Sequence, residues 1–527
     1  MSIEVSNIDH LGLVAGIIDE IGIEQKINQL LGEQPEKITG GQVVKGMLLN
    51  GLGLVSSPLY LFSRFFEGKA IEHLIGQGVK TEYFNDDKLG RVLDQLYRRG
   101  LNEIFMSVVL EAVKTYQLET STVHLDSTSF HVHGDYHTDE DESTEDIEPK
   151  TIKITYGYSR DKRPDLKQFM MDLICTNDGD VPLWMRIGSG NESDQKQFVQ
   201  AMKNFKNQLK FDSLMVADSA LYTQENLQLL TNIKWLSRVP VRIKAAYKLV
   251  EEIDGSDLNP SQIKGYRYQE LSKTYGGIEQ RWLIVESQLR RESDLKSLEK
   301  KIQKERAEVD KKLRALKYEK FACLPDAETA TRKLLKKFLY HEMTEINVQE
   351  VESKSDTDFS YEVQVQVGLR ESKIELEKKR AGRFILATNV LDKMALTKEE
   401  MLSKYKGQQS VERGFRFLKD PLFLTDSVFL KSPHRIEALG LIMGLCLLVY
   451  TLGQRQLRQT LNRTKSSVKN QLGRPTNRPT LRWIFQCFQS IHLLINSGVK
   501  SISNLTPDRL ELLKFFPPSC QRYYLLS

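Results

Sequence analysis

Apolar residues recur at helical spacing in QVVKGMLLNGLGLV and again in RVLDQLYRRGLNEIFMSVVLEAV, so the chain up to about residue 115 is predicted to form short amphipathic helices. From Thr122 the period changes. TVHLDSTSFHV, QFMMDLICTNDG and DVPLWMRIGSG read as three strands, the last two joined by an Asn177-Asp178-Gly179 turn that favours a hairpin, which makes an antiparallel meander. A helix follows in SDQKQFVQAMKNFKNQL, opened by a Ser193 or Asp194 cap. Then come a short apolar strand in SLMVADSAL, a short helix in TQENLQLLTN and a strand in KWLSRVPVR. The order is β-β-β-α-β-α-β.

Beyond about residue 240 the background becomes highly charged. Leu295, Leu298, Ile302, Val309 and Leu316 recur at spacings near three, four and seven, the pattern of a long exposed helix or a short coiled-coil arm. A Pro325-Asp326 turn and a second helical stretch through Leu335, Phe338 and Leu339 suggest that the arm folds back. Tyr361, Val363, Val365 and Val367 alternate with polar residues, which predicts a half-exposed strand. Residues 241–380 therefore read as an insertion, after which the main sheet is expected to resume at RFILATNV and lead into a long helix.

Length and composition narrow the class. At 527 residues the chain is expected to hold two to four domains and a large buried interior. The 75 basic and 70 acidic residues leave a formal charge of only +5, so overall charge supports nucleic-acid binding weakly and local distribution must carry it. Five scattered cysteines without CxxC pairs suit a reducing compartment and argue against a disulfide framework or a zinc finger. No secretion signal is read at the Met1 end. The apolar run ALGLIMGLCLLVYTLG is shorter than the roughly 20 residues a membrane span needs and reads as a buried core helix. Lys88, Arg91, Arg98 and Arg99 lie on the polar side of one N-terminal helix, either as a solvated face or as a DNA-binding surface.

The candidate chemistry begins with two aspartates. Asp126 lies in the first strand and Asp218 ends the apolar run SLMVAD; a carboxylate at the end of a buried strand is costly unless paired, hydrogen-bonded or bound to metal. Turn capping is the simpler explanation for either one alone. A third element adds to them: YKGQQSVERGFRFLK, read as one helix at about 100° per residue, puts Tyr405, Gln408, Glu412, Arg416 and Lys419 within about 60° of one face. One acid among bases, beside an aromatic, suits a surface that holds a metal and grips phosphates.

The ordered set HLDSTSF, VADSALY and Y-x2-Q-x3-E-x6-K resembles the DDE transposases of insertion sequences, in particular the bacterial IS four-type group with its Y-R-E-K signature. NDDKLGRVLD similarly resembles the helical N-terminal region of one branch of that group, so the resemblance spans nearly the whole chain. It implies an α/β fold: a ribonuclease-H-like catalytic core, with a mixed five-stranded sheet and flanking helices, carrying a helical N-terminal domain and an α+β insertion. The expected division is a helical DNA-binding domain over 1–115, the first part of the core over 120–240, the insertion over 241–380, the second part of the core with the acidic helix over 381–455, and a basic C-terminal region over 456–527.

The resemblance also implies roles. Asp126, Asp218 and Glu412 would be the catalytic and metal-binding triad, and Tyr405 and Lys419 would contact the DNA backbone near the cut. Gln408 stands where the family usually has arginine; it keeps hydrogen-bond donors but loses the charge and the fork geometry, so Arg413 or Arg416 would compensate. Arg238 is assigned to DNA-end binding. Three carboxylates suit two Mg²⁺ or Mn²⁺ ions per active site, held about 3.5–4 Å apart, rather than zinc. The implied partners are double-stranded DNA, both element ends and target, and a second copy of the chain in a synaptic homodimer. No membrane partner is expected, and the implied location is the bacterial cytoplasm, at the nucleoid. A nuclease or resolvase without strand transfer and an inactive DNA-binding derivative are the alternatives.

His131, His133 and His137 follow Asp126 by five or more residues, and His131 faces away from it on a strand, so they read as strand-end and loop residues rather than ligands. The acidic TDEDESTED reads as a mobile loop. The stretch RQLRQTLNRTKSSVKNQLGRPTNRPTLRW, with Trp483, Phe485 and Phe488 close by, reads either as a surface linker or as a DNA contact.

Overall fold

A computed structural model describes residues 3–32, 37–54, 57–58, 61–133, 136, 151–159, 162–319, 321, 323–352, 359–420, 430 and 432–526. They form two compact units, one of residues 1–237 with 404–527 and one of residues 238–403.

The first unit begins with a strand, β1 (Ile3–Asn7), and the helices α1 (Leu11–Ile21), α2 (Ile23–Leu31), α3 (Gly40–Gly51), α4 (Asp86–Arg99) and α5 (Leu101–Tyr116). Their ends follow local chemistry. Gly22, at φ 77, turns the chain between α1 and α2; Thr39 and Gln42 form a reciprocal capping box on α3, and Asn85 accepts from Lys88 N to start α4.

The sheet of this unit follows the predicted order. β2 (Thr122–Val132), β3 (Lys167–Thr176) and β4 (Pro182–Ser189) form the antiparallel meander; then come α6 (Asp194–Leu209), β5 (Leu214–Ala217), α7 (Gln224–Leu229) and β6 (Trp235–Val239). The spatial order is β4-β3-β2-β5-β6, with β5 parallel to both β2 and β6. β2 is therefore central and β5 lies beside it. Nearly all residues of β2 and β5 are buried, as expected of strands covered on both faces.

In the second unit the sequence reading missed a hairpin. β7 (Tyr266–Tyr275) and β8 (Ile278–Ser287) pair antiparallel around Gly276-Gly277, both at positive φ. The glycine pair is the turn signal that was available. The predicted arm is α8 (Gln288–Lys317), followed by α9 (Leu324–Leu335), the hairpin β9 (His341–Glu352) and β10 (Phe359–Leu369), and α10 (Glu371–Arg380). Its apolar stripe is not an exposed coiled-coil seam. Leu298 packs with Tyr340 and Ile374, Val309 with Phe338, and Leu316 with Ala327 and Val363. Seven-residue spacing matches a covered helix face as well as a coiled coil, and here the same insertion supplies the cover. β11 (Arg383–Thr388) runs antiparallel to β8.

The last expected element, one helix through residues 405–419, is instead two. α11 (Lys398–Lys406) stops, Gly407 and Gln408 make tight turns back to Lys404 O and Tyr405 O, and α12 (Gln409–Leu418) begins. The break removes the common helical phase between Tyr405 and Glu412. α13 (Pro433–Arg463) extends the predicted apolar run at both ends; it is long and apolar enough to span a membrane, but 94% of its most apolar window is buried within the fold. β12 (His492–Asn496) and β13 (Val499–Ser503) join β1 in a three-stranded sheet, and α14 (Pro518–Leu525) packs on α1. Both ends of the chain thus fold into the first unit.

Candidate active site

The parallel register of β2 and β5 pairs Thr122 with Leu214 and ends with Leu125 opposite Ala217. Asp126 is the next residue on β2, and Asp218 is the first residue past β5. They stand abreast where β5 leaves the sheet, on strands about 4.8 Å apart. The Asp218 carboxylate accepts from Ala220 N at 2.8 Å and its carbonyl accepts from Ser237 Oγ, which turns the chain out of the strand. Asp126 Oδ1 accepts from Ser127 N.

An open cavity of about 650 Å³ lies against the Asp126–Thr128 stretch of β2. Asp126 and Thr128 line it from the strand, and Glu412, Phe415, Arg416 and Lys419 line it from α12 and its C-cap. Glu412 and Arg416 are one turn apart and Lys419 is seven residues from Glu412, so the face predicted for this part of the segment does form. Lys419 Nζ lies 5.7 Å from the centre of the Phe130 ring. The cavity carries carboxylates on both walls and two cationic groups beside them.

Two buried networks hold the strand. On the face opposite Asp126, Ser127 Oγ donates to Asp172 Oδ1 at 2.5 Å, Arg186 Nε donates to Asp172 Oδ2 at 2.8 Å, and Arg186 Nη2 reaches Glu192 at 2.6 Å. Ser127, Asp172 and Arg186 occupy one row across β2, β3 and β4. Burial pushes the Asp172 carboxyl above the ordinary carboxylate range, against the lowering effect of Arg186 and Ser127. Removing one partner from such a buried ion pair costs about 3–5 kcal/mol. Sequence reading did not single out Asp172, although a lone acid inside the apolar run FMMDLIC was a usable signal.

The second network lies on Asp126's own face. Gln408 Nε2 donates to Leu125 O at 2.9 Å, which turns its oxygen toward His124 Nδ1 at 3.2 Å; His124 Nε2 lies 3.3 Å from the Asn177 side chain. Burial holds His124 below the ordinary imidazole range, so the ring is neutral at pH 7 and donates from Nδ1 alone. Gly407 presses directly on this pair: a Cβ there would meet the Asn177 amide oxygen inside van der Waals contact and His124 Nε2 at 2.9 Å. Lys404 Nζ adds a bond to Thr122 Oγ1 at 2.7 Å. The joint between α11 and α12 is thereby pinned to the strand that carries Asp126.

The remaining candidates are scattered. Both ends of the Gln408 amide are committed to Leu125 and His124, so it braces the strand instead of presenting a free donor to phosphate. Arg413, the suggested substitute, pairs with Asp180 at 2.9 Å. Tyr405 and Asp218 are not among the described residues that line the cavity. Arg238 belongs to the second unit, with its guanidinium 5.7 Å from the Phe384 ring centre. His131 Nε2 lies 3.0 Å from Ser159 Oγ and His133 is exposed, while His137 and the acidic loop fall outside the described residues.

The donor chemistry fits a hard divalent cation: two aspartates abreast and a glutamate in the adjoining cavity, all oxygen ligands. Among the described residues, no three His, Cys, Asp or Glu side chains are close enough together to share one ion. Asp126 and Glu412 both line the cavity while Asp218 does not, so the three carboxylates do not converge on one point.

A model of the family described as Transposase DDE domain matches residues 117–452, from just before β2 into α13. The chain belongs to this family. Residues 3–110 of this DDE-type transposase also match a domain of unknown function, DUF4277. No curated protein matches the chain. Among solved structures, a piggyBac transposase synaptic complex with hairpin DNA aligns over 91% of this chain and 79% of its own, at 9% identity and a TM-score of 0.36.

Proposed function

We propose that this DDE transposase cuts at the ends of its own bacterial insertion sequence and joins the freed 3′ ends to target DNA, with Asp126, Asp218 and Glu412 as its acidic residues. The observation that carries this is the side-by-side placement of Asp126, within β2, and Asp218, just past the neighbouring parallel β5, beside a cavity that Glu412 enters from α12. The antiparallel-then-parallel order β4-β3-β2-β5-β6 supports a ribonuclease-H-like core of the IS four type.

The three carboxylates would hold Mg²⁺ or Mn²⁺, two ions per site, which when bound activate the attacking oxygen and stabilise the leaving one. The protein's own residues position the DNA. Arg416 and Lys419 offset phosphate charge on the wall opposite Asp126, and Phe415 gives that wall an apolar surface. Gln408, through Leu125 and His124, braces the stretch of β2 from which Asp126 projects. In the first step a water oxygen attacks phosphorus, the P–O3′ bond breaks, and the 3′ oxygen leaves as a hydroxyl with one proton released. In the second step that 3′ hydroxyl attacks a target phosphate, forming one phosphodiester, breaking another and passing its proton to the target's leaving 3′ oxygen. Tyr405 and Arg238 are proposed as further DNA contacts, the N-terminal helices and basic C-terminal region as candidate DNA-binding segments, and a homodimer at the nucleoid in the cytoplasm as the working form.

The test uses wild type and Asp126→Asn with DNA carrying the gene's own flanks, in Mg²⁺ or EDTA, mapping every new 3′ end and joint. Metal-dependent cuts at discrete flank positions plus joined products, both lost in Asp126→Asn, are expected. Cuts without joints would identify a nuclease, and binding without cleavage an inactive derivative.

A further inference from the structure

The second unit contains a cavity of about 740 Å³, formed between the strands β7, β8 and β11 and the helices α8 and α10. Its floor is organised around one buried carboxylate. Glu286 has a side chain only 5% exposed and faces three arginines: Arg267 Nη2 donates to its Oε1, Arg383 Nε to its Oε2 at 3.1 Å, and Arg291 Nη1 to the same Oε2 at 3.4 Å. Burial raises the Glu286 carboxyl, but the Arg267 and Arg383 guanidinium groups bring it net below its ordinary range, so it stays anionic. One carboxylate cannot balance three guanidinium groups.

The surplus charge faces the cavity. Arg383 is the most constrained of the three, with a side chain 4% exposed and Nη1 bonded to Val250 O and Ile253 O. Its Nη2 has no hydrogen-bond partner among the described residues. That donor points at an opening that Gly255 leaves: a Cβ on Gly255 would sit 3.6 Å from Arg383 Nη2 and 3.8 Å from Arg267 Nη2. Two guanidinium edges thus converge on one small space with no side chain in it. Lys378 and Lys379, at the end of α10, add two more cations to the lining, and Glu375, paired to Lys378 at 2.7 Å, adds the only other carboxylate among the described lining residues. The lining carries five cations against two carboxylates.

We propose that this cavity binds a phosphoryl group, with Arg267 and Arg383 as a converging donor pair over Gly255 and Arg291, Lys378 and Lys379 supplying surrounding charge. A phosphoryl oxygen there would fill the empty donor position of a nearly buried arginine, whereas water would leave the charge surplus uncompensated. The phosphoryl group can come from a DNA backbone or from a free anion. The inference goes beyond the first-unit cavity and does not depend on cleavage there, so its test needs no divalent metal.

The experiment titrates the full-length protein in EDTA with inorganic phosphate, by calorimetry, and with a 24-base-pair duplex across a salt series, by fluorescence anisotropy. Gly255→Val plugs the opening without removing a charge; Arg267→Gln removes one exposed donor and serves if the valine variant does not fold. Each is expected to weaken phosphate binding about tenfold or more. If duplex affinity also falls, and its salt dependence becomes shallower by about one phosphate contact, the backbone is the source; if duplex binding is untouched while phosphate binding is lost, the site takes the free anion. Phosphate that fails to bind wild type, or binds a folded variant as tightly as wild type, overturns the proposal.

Discussion

Gly407→Ala isolates the contact that seats the joint before α12 on the strand that carries Asp126. The new methyl would press into the Asn177 amide oxygen and stand 2.9 and 3.0 Å from His124 Nε2 and Cε1, where ordinary contacts are 3.4 Å or more. Asn177 lies in a turn and its amide can yield, but His124 is fully buried in the central strand and cannot. The joint must therefore lift by several tenths of an ångström. Overpacking of this kind costs about 1–3 kcal/mol, and a loss of that size is expected in urea denaturation. The kinetic effect is expected to be larger in proportion: Glu412 is five residues on, in the first turn of α12, and moves with the joint. A shift approaching 1 Å at a reacting centre can cost on the order of 10²-fold. Flank-DNA cleavage should thus fall about 10- to 100-fold while duplex affinity stays within about threefold. Wild-type stability together with a wild-type cleavage rate would refute the claim that this joint positions Glu412.

Gln408→Arg restores the residue usual in the family, yet here it should reduce both stability and cleavage. An arginine cannot accept the His124 Nδ1 proton, and an unsatisfied buried donor costs about 1–3 kcal/mol; an increase in cleavage would count against the bracing role. Asp126→Asn, Asp218→Asn and Glu412→Gln should each abolish cleavage while urea midpoints remain near or above wild type, because none is a partner in the buried Asp172 network; a variant that retains cleavage removes its residue from the site. Glu437 accepts from Ile152 N, and burial pushes its carboxyl up to about 7. The folded protein then holds a proton that the unfolded chain releases from about pH 4.5 upward, so this group's contribution to stability falls as pH rises from 4.5 to 7. Glu437→Gln should match wild type near pH 5 and exceed it by up to about 3 kcal/mol at pH 7.5, measured by urea denaturation; a gap that does not change with pH would contradict the assignment.

The first sheet was readable because its signals are local. Apolar runs and one Asn-Asp-Gly turn mark the strands from β2 to β6, and Asp218 sits at the end of its apolar run in sequence as in space, although the expected side-chain cap on α6 does not form. The Glu412, Arg416 and Lys419 face was readable for the same reason, since all three lie within α12 and its cap. What was missed depends on contacts between distant residues. Nothing near Gly407 says that a histidine nearly 300 positions earlier will press on it, so one helix was expected where two form. Gln408 looked like a weakened phosphate ligand until Leu125 and His124 came beside it. The apolar stripe of α8 fixes a buried face without naming its cover, and α9, β9, β10 and α10 are that cover.

The central claim is that Asp126, Asp218 and Glu412 serve one divalent-metal site. It is tested most directly by loading the full-length protein with Fe²⁺ in place of Mg²⁺, bound to flank DNA, and mapping backbone cleavage of the polypeptide by the hydroxyl radicals generated with ascorbate and peroxide. Cuts clustered near residues 126, 218 and 412, suppressed by excess Mg²⁺ and lost together in Asp126→Asn, are the predicted result. Cuts at the two aspartates with none near Glu412, or a pattern that Asp126→Asn leaves unchanged, would contradict it.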